Sequence, residues 1–145
     1  MNRRVATRGI IVHQGKLLCV KLHASEADFW CVPGGGVDVG EPIEQALERE
    51  LVEETGIRPK VGRLLFVQQF MAKKDLEETE FFFLIENPED YLNIDLSQTT
   101  HGEEEIESIE FIDTKDSTKN ILPKFLQEID FDNLPESTEI YNYLG

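Results

Sequence analysis

The segment from Gly35 to Ile57, GGVDVGEPIEQALERELVEETGI, places a glycine-rich turn directly before one amphipathic helix. Residues three and four positions apart share one face of a helix, so its apolar positions form a single stripe. The stripe consists of Ile43, Ala46, Leu47 and Leu51, and the polar Glu44, Gln45 and Glu48 lie on the opposite side. Glu50 and Glu54 fall inside the stripe, where a helix that only packs against a core would carry leucine.

The glutamates of this helix, Glu50, Glu53 and Glu54, are expected to converge on one face. Carboxylates turned towards the body of a protein raise its free energy unless a positive charge lies among them. A hard divalent cation suits such a cluster, because it prefers oxygen ligands and keeps several waters. A solvated acidic face is the alternative, and helix geometry alone does not decide between the two.

The fixed positions around the helix follow a longer pattern. Gly35 is followed by five residues and Glu41, and then by seven residues and the run RELVEETGI from Arg49 to Ile57. With its lead-in from Trp30 to Gly35, the pattern resembles the Nudix box, the signature of hydrolases that act on nucleoside diphosphates linked to another group. So many fixed positions almost never coincide by chance. The resemblance implies a Mg²⁺-dependent pyrophosphohydrolase, with Mn²⁺ as a substitute, and a mixed sheet packed between helices.

The resemblance also implies roles for the carboxylates of the box. In the family, the positions matching Glu50, Glu53 and Glu54 supply metal ligands, often helped by a main-chain carbonyl near the position of Gly34. One glutamate must also accept the proton of the attacking water. We expect Glu53 to be this base, because Glu50 and Glu54 share the apolar stripe and are better placed as metal ligands.

A second set of carboxylates lies outside the box, in His101 to Glu105, just before an expected strand. Some members of the family draw the general base from a loop of this kind. Glu104 or Glu105 could therefore act as the base or complete the metal site. A solvated acidic loop is an equally good interpretation of the same residues.

Two charged residues of the box are expected to support the site. Arg49 precedes Glu53 by four residues, so an ion pair between them can orient the carboxylate. The family assigns a matching structural role to this arginine. Glu41 could support the loop or reach a metal, and we favour support.

Substrate contacts are expected from the residues that precede the helix. Gly35 lets the backbone fold tightly against the helix start and approach a phosphate. Phe29, Trp30 and Phe70 could stack on a base, although aromatic residues in strands more often belong to the core.

The charge of the chain is unevenly distributed. The net charge is −15, yet the first 25 residues carry five cations and no acidic residue. Chance is one explanation; the other is that Arg8, and to a lesser degree Arg4, attracts a polyanionic substrate. The overall acidity argues against general binding of nucleic acid, which requires a basic surface.

At 145 residues, the chain is expected to form one domain, residues 1–145. Strands are predicted at 7–12, 16–21, 29–32, 61–71, 80–86 and 106–112, with a loop at 23–28 and helices at 42–55, 119–129 and 137–144. Pro123 is expected to move the start of the second helix to a later residue. This order predicts an α/β fold, a Nudix-type α/β/α sandwich with a mixed β-sheet. We expect no transmembrane helix and no signal peptide, and two reduced cysteines of a cytoplasmic protein.

The expected function is hydrolysis of a phosphoanhydride bond in a small nucleotide, such as a nucleotide sugar, an ADP-ribose-type compound or a nucleoside triphosphate. A non-catalytic nucleotide sensor with the same fold is one alternative, which the intact set of glutamates disfavours. A pyrophosphohydrolase of RNA 5′ ends is another, which the acidity disfavours. The box does not specify the leaving group, and whether the chain forms a homodimer is open.

Overall fold

The computed structural model describes residues 1–23 and 28–144, and its larger sheet has five strands. In spatial order these are β4 (Gly34–Gly36), β1 (Asn2–Ile10), β6 (Leu76–Ile85), β5 (Val61–Lys73) and β8 (Glu139–Asn142). The pairs β1–β6 and β5–β8 are parallel, whereas β1–β4 and β5–β6 are antiparallel. The sheet is therefore mixed, as expected.

A smaller antiparallel sheet joins β2 (Val12–His13), β3 (Lys16–Leu22) and β7 (Ile106–Ile112). The longest helix, α1, spans Ile43–Thr55, and a single helical turn, α2, spans Gly102–Glu105. Three short 3₁₀ helices cover Pro88–Tyr91, Leu96–Gln98 and Lys124–Glu128. No helix of the described residues is long and apolar enough to cross a membrane.

Two hydrophobic clusters hold these layers together, one on each face of the larger sheet. Successive residues of a strand point to opposite faces, so Phe82 and Phe83 of β6 belong to different clusters. Phe82 packs with β3 and with Phe125 of the last 3₁₀ helix, whereas Phe83 packs with Leu47 and Leu51 of α1. The predicted α/β sandwich is therefore confirmed.

Helix α1 matches its sequence prediction closely. Pro42 has extended backbone angles, so it precedes the helix and is not its first residue, and its carbonyl accepts from the amide of Ala46. Gly56 ends the helix with a φ of 77°, a left-handed conformation in which glycine is favoured.

Two predictions about the carboxyl-terminal part are corrected. A helix was expected at 137–144, but Glu139–Asn142 forms strand β8, because the free edge of β5 accepts it in parallel register. At 119–129 only Lys124–Glu128 is helical, and it is a 3₁₀ helix; it begins after Pro123, as expected, but is shorter than the apolar spacing indicated.

The segment before the box also differs from expectation. Trp30 and Cys31 make only isolated bridges, to Ile121 and Val20, whereas the glycines themselves form β4. The sequence predicted a turn there because glycine disfavours strands, but pairing with β1 overrides that tendency. Most of the loop predicted at 23–28 lies outside the described residues.

Candidate active site

Two cavities adjoin at the β4 edge of the larger sheet. One has a volume of about 480 Å³ and is lined by acidic side chains and the glycines of β4. The other, of about 620 Å³, lies over the face of β1, β6 and β5 and is mostly apolar. Four residues line both cavities, namely Arg4, Arg8, Leu22 and Cys31. One elongated ligand can therefore occupy both.

The acidic cavity brings together carboxylates that are far apart in the sequence. Glu50 and Glu54 of α1 line it together with Glu104 and Glu105 of α2. The amide of His101 donates to the carbonyl of Glu53 at 2.9 Å, so the loop that carries α2 is anchored to α1. The structure thus brings Glu104 and Glu105, which lie outside the box, next to the carboxylates of α1.

Glu54 is the most buried of these carboxylates, with 3% of its surface exposed. Its Oε1 accepts from the amide of Gly34 at 3.3 Å. Burial raises the pKa of Glu54 to about 8; the positive charge of Arg8 opposes this shift, and the neighbouring Glu50 adds to it. The charge of Arg8 does not offset the cost of burial, so a further cation beside this carboxylate would be favourable.

Glu50 lies against β4, where only glycine leaves room for it. A Cβ atom on Gly35 would lie 2.5 Å from Cδ of Glu50. Burial raises the pKa of Glu50, although the hydrogen bond from Arg49 opposes the shift. Gly35 and Glu50 thus form one wall of the acidic cavity.

Arg49 links two carboxylates of α1 with one from the turn before it. Its guanidinium contacts Glu41 at 2.8 Å, Glu50 at 3.1 Å and Glu53 at 3.5 Å, and it donates to the carbonyl of Gly36 at 3.2 Å. The hydrogen bonds from Arg49 lower the pKa of Glu41 to about 2. Glu41 also accepts from the amide of Asp38, so its contacts here are those of a residue that holds the turn.

The carboxylates of the acidic cavity are the type of ligand that a hard cation prefers, but they are not arranged around a common point. Across the described ranges 1–23 and 28–144, no three His, Cys, Asp or Glu side chains are arranged to hold a metal ion together. Glu50 and Glu53 are instead directed towards Arg49, which supplies part of the missing positive charge. The buried Glu54 has no such ion pair among the described residues.

The apolar cavity is built on alternate residues of three strands. Phe29, Phe70, Phe82 and Tyr143 contribute rings to its lining. At the inner end, Glu80 accepts hydrogen bonds from Arg8 at 2.8 Å and from Gln68 at 2.6 Å. A cavity of this size, with apolar walls and a few convergent polar groups, is typical of a small-molecule site.

The structure separates the two aromatic candidates before the box. Phe29 is half-buried and lines the apolar cavity. Trp30 is 8% exposed, packs in the hydrophobic cluster with Phe125 and lines neither cavity. Gly34 contributes its amide to Glu54, and the metal-binding role expected of its carbonyl stays a prediction.

The premise of an uncompensated cationic amino terminus is corrected. Strand β6 runs parallel to β1 and supplies one carboxylate to each arginine of β1. The three ion pairs are Arg3–Glu77, Arg4–Glu78 and Arg8–Glu80. Arg4 keeps 48% of its side chain exposed and Arg8 only 18%, so Arg4 is the more accessible to a ligand.

Sequence reasoning gave Arg4 a lesser role than Arg8, and it missed Glu78, Glu80 and Gln68, which line the apolar cavity. The signal was the alternation in β6, where LEETEFFFLI places Glu78, Glu80 and Phe82 on one face. Acidic residues on the inward face of a strand indicate a site, but the sequence does not show which face is inward.

Comparison with known proteins shows which family model and which relatives the chain resembles. The family model of the NUDIX domain matches residues 3–131. An ADP-ribose pyrophosphatase from Methanocaldococcus jannaschii is 44% identical over 68 residues, which are 46% of this chain and 40% of that protein. An RNA pyrophosphohydrolase from Baumannia cicadellinicola is 39% identical over 67 residues, 45% of this chain and 41% of that protein. The chain therefore spans less than half the length of these curated relatives.

A solved structure extends the likeness over nearly the whole chain. The crystal structure of a MutT NUDIX hydrolase from Burkholderia pseudomallei superposes with a TM-score of 0.70 at 24% identity. The superposition covers 93% of this chain and 100% of that chain. At this identity, the likeness concerns the fold.

Proposed function

The chain belongs to the Nudix family, and we propose that it is a Mg²⁺-dependent pyrophosphohydrolase of small nucleotides. Its substrate is a nucleoside diphosphate linked to another group, or a nucleoside triphosphate. Residues 1–145 act as one hydrolase domain in this proposal. The observation that carries it is that the acidic cavity and the aromatic one adjoin, with Arg4 and Arg8 in the lining of both. A nucleotide combines a flat, largely apolar base with a charged diphosphate, and the two cavities match these parts.

The carboxylates of α1 are the proposed metal ligands. Glu54 is buried without an ion pair among the described residues, and Glu50 lies beside it against Gly35. Glu53 is the third proposed ligand, and release from Arg49 would free Glu50 and Glu53 to turn inward. When bound, Mg²⁺ supplies charge neutralisation on the phosphates and lowers the pKa of a bound water.

Two groups of carboxylates compete for the role of general base. Glu53 keeps 30% of its side chain exposed and is held by Arg49, so its carboxylate is accessible to water. Glu104 and Glu105 line the acidic cavity from the opposite side, and Glu105 lies close enough to raise the pKa of both Glu50 and Glu54. The base must reach the attacking water, and comparison of Glu53→Gln with Glu105→Gln separates the two candidates.

A small substrate is favoured over RNA. The two curated relatives are named ADP-ribose pyrophosphatase and RNA pyrophosphohydrolase, so their names alone leave both classes open. The apolar cavity of about 620 Å³ suits one nucleoside. A net charge of −15 disfavours attraction of a polyanionic strand.

The test is turnover on a panel of nucleoside triphosphates, nucleotide sugars, ADP-ribose and triphosphorylated RNA, with Mg²⁺ and with Mn²⁺. Glu50→Gln and Glu54→Gln should each lower kcat at least about 100-fold, because metal-derived stabilisation of the transition state is worth several kcal/mol. Glu48→Gln is the matched control, since Glu48 lies on the solvent side of the same helix and pairs with Arg58.

Near-normal kcat in Glu50→Gln or Glu54→Gln would exclude that residue from the catalytic machinery. Absence of turnover on every substrate, combined with tight nucleotide binding, would favour the non-catalytic sensor. Preferential turnover of RNA would show that the substrate is an RNA 5′ end and not a small nucleotide.

A further inference from the structure

We propose that Glu78 is the specificity-determining residue of the apolar cavity, and that it selects bases that carry an exocyclic amino group. The proposal rests on the function proposed above, since it requires a base in this cavity. Glu78 lines the cavity from β6, together with Arg4 of β1 and Phe70 of β5.

The register of the sheet places Glu78 between two other residues that line the cavity. It lies opposite Arg4 of β1 on one side and opposite Phe70 of β5 on the other. Glu80 lies two positions further along β6 and faces Gln68. Because side chains alternate along a strand, Glu78 and Glu80 point to the same face, into the cavity.

The two carboxylates differ in how far their hydrogen bonds are satisfied. Both oxygens of Glu80 accept, one from Arg8 and the other from Gln68. Glu78 is 6% exposed, yet its Oε1 has no hydrogen-bond partner among the described residues. Arg4 Nη1 lies 3.2 Å from this oxygen but is not aligned for a hydrogen bond.

Because Oε1 of Glu78 accepts no hydrogen bond from the described residues, it favours a ligand that donates one to it. A buried polar group without a hydrogen-bond partner destabilises the folded protein, and a charged group does so more strongly. Burial raises the pKa of Glu78, and the nearby Glu80 raises it further. A donor from a bound base would relieve both effects, since a carboxylate can only accept.

This requirement separates the bases by chemistry. Adenine, cytosine and guanine each carry an exocyclic amino group that can donate to Glu78. In uracil the position of the cytosine amino group is a carbonyl, whose lone pairs repel the carboxylate, and hypoxanthine lacks the 2-amino group of guanine. Both bases keep one ring N–H on this edge, so each loses the amino donor but not every donor. Sites built to hydrogen-bond a substrate group discriminate strongly against analogues that lack it, because the buried polar group stays unpaired. The ring of Phe70, which lies next to Glu78 in the register, can stack on the base.

The experiment compares nucleotides that differ by this amino group. Binding of CMP against UMP and of GMP against IMP is measured by titration calorimetry in EDTA, which needs neither metal nor catalysis. The wild type should bind the amino-bearing member of each pair about 10-fold more tightly or better. Glu78→Gln should reduce the preference to about 3-fold or less, because an amide can present either a donor or an acceptor.

The matched control is Glu77→Gln. Glu77 precedes Glu78 on β6, pairs with Arg3 and lines neither cavity, so its substitution should leave the preference unchanged. Glu78→Gln removes one of two neighbouring negative charges and should remain folded, which a melting curve verifies. Even without this variant, equal binding within each pair by the wild type overturns the proposal.

Four further outcomes bear on this proposal, and the last two separate it from the proposed function. Retention of the preference in Glu78→Gln, or failure of all four nucleotides to bind, overturns the role of Glu78. If the protein turns over nucleotides but binds both members of each pair equally, the proposed hydrolase activity is kept and the role of Glu78 in base selection is overturned. If the protein discriminates within the pairs in binding but turns over no substrate, the role of Glu78 in base selection is supported and the proposed hydrolase activity is overturned.

Discussion

Glu54 lies 3% exposed between Gly34, Glu50 and Arg8, and no ion pair to it is present among the described residues. An ordinary helix that packs by an apolar stripe would carry leucine at this position. The ionised carboxylate is therefore destabilised in the metal-free protein, which is the condition under which a cation binds most favourably.

This destabilisation predicts how the stability of the metal-free protein depends on pH. Burial raises the pKa of Glu54 from 4.5 to about 8, so the folded state binds a proton that the unfolded state releases above 4.5. The contribution of Glu54 to the free energy of unfolding is fully present below pH 4.5, where the carboxyl is protonated in both states. It is lost as the pH rises towards 8. The loss is at most about 1.4 kcal/mol per pH unit.

Urea unfolding in EDTA at several pH values between 5 and 8 measures this effect. Glu54→Gln should unfold with a free energy that exceeds that of the wild type by a margin that grows with pH. Glu48→Gln removes one charge from the exposed side of the same helix and should follow the wild type. A constant difference between Glu54→Gln and the wild type would show that Glu54 is ionised throughout this range.

At the scale of the element, β4 determines how closely the helix approaches the sheet. Gly34 has a φ of 145°, and a Cβ atom there would lie 2.1 Å from the carbonyl oxygen of Thr7. Gly35 makes room for the carboxylate of Glu50, and Gly36 faces the guanidinium of Arg4 across a wider gap. Each glycine therefore has a different neighbour, although the three are adjacent in sequence.

Gly35→Ala and Gly36→Ala form a matched pair that separates these neighbours. The new Cβ atom at position 35 would lie 2.5 Å from Cδ of Glu50, so this flexible carboxylate must move away. At position 36 the nearest atom is Nε of Arg4 at 3.4 Å, which is close to an ordinary contact. We expect Gly35→Ala to lower kcat about 10-fold or more with little loss of stability.

Gly36→Ala should retain most of the wild-type kcat, and melting curves should show both variants folded. Equal kcat values for the two variants would mean that the position of Glu50 against β4 is not needed for the reaction.

At the scale of the whole molecule, the charges are arranged so that the site is acidic within an acidic protein. The net charge is −15, and β6 neutralises the arginines of β1 pair by pair. A substrate with several phosphate charges therefore meets no broad cationic surface on β1. Divalent cations bound at the carboxylates would offset this repulsion.

Metal binding should be visible in the stability of the whole protein. A cation that binds only the folded state stabilises it by mass action, so saturating Mg²⁺ should raise Tm by a few degrees, on the order of 5 °C, and EDTA should reverse the shift. The triple variant Glu50→Gln, Glu53→Gln, Glu54→Gln should lose most of the shift. An undiminished shift in the triple variant would assign the binding to other parts of the acidic surface.

The sequence by itself determined helix α1, its ends and the carboxylates that it presents. These features depend on residues three and four positions apart and on Gly56, so the information is local. The alternating apolar residues likewise predicted β7 at 106–112, and the pattern from Gly35 to Ile57 identified the family that the comparison confirmed.

Only the tertiary structure decided which residues complete the site. The pairing of β1 with β6 joins residues more than 70 positions apart and turns a cationic stretch into three ion pairs. The same register places Glu78 beside Arg4 and Phe70, and the edge of β5 converts 139–142 from an expected helix into β8. Strand register depends on which edges and faces meet in the folded chain, and no local pattern of residues carries that information.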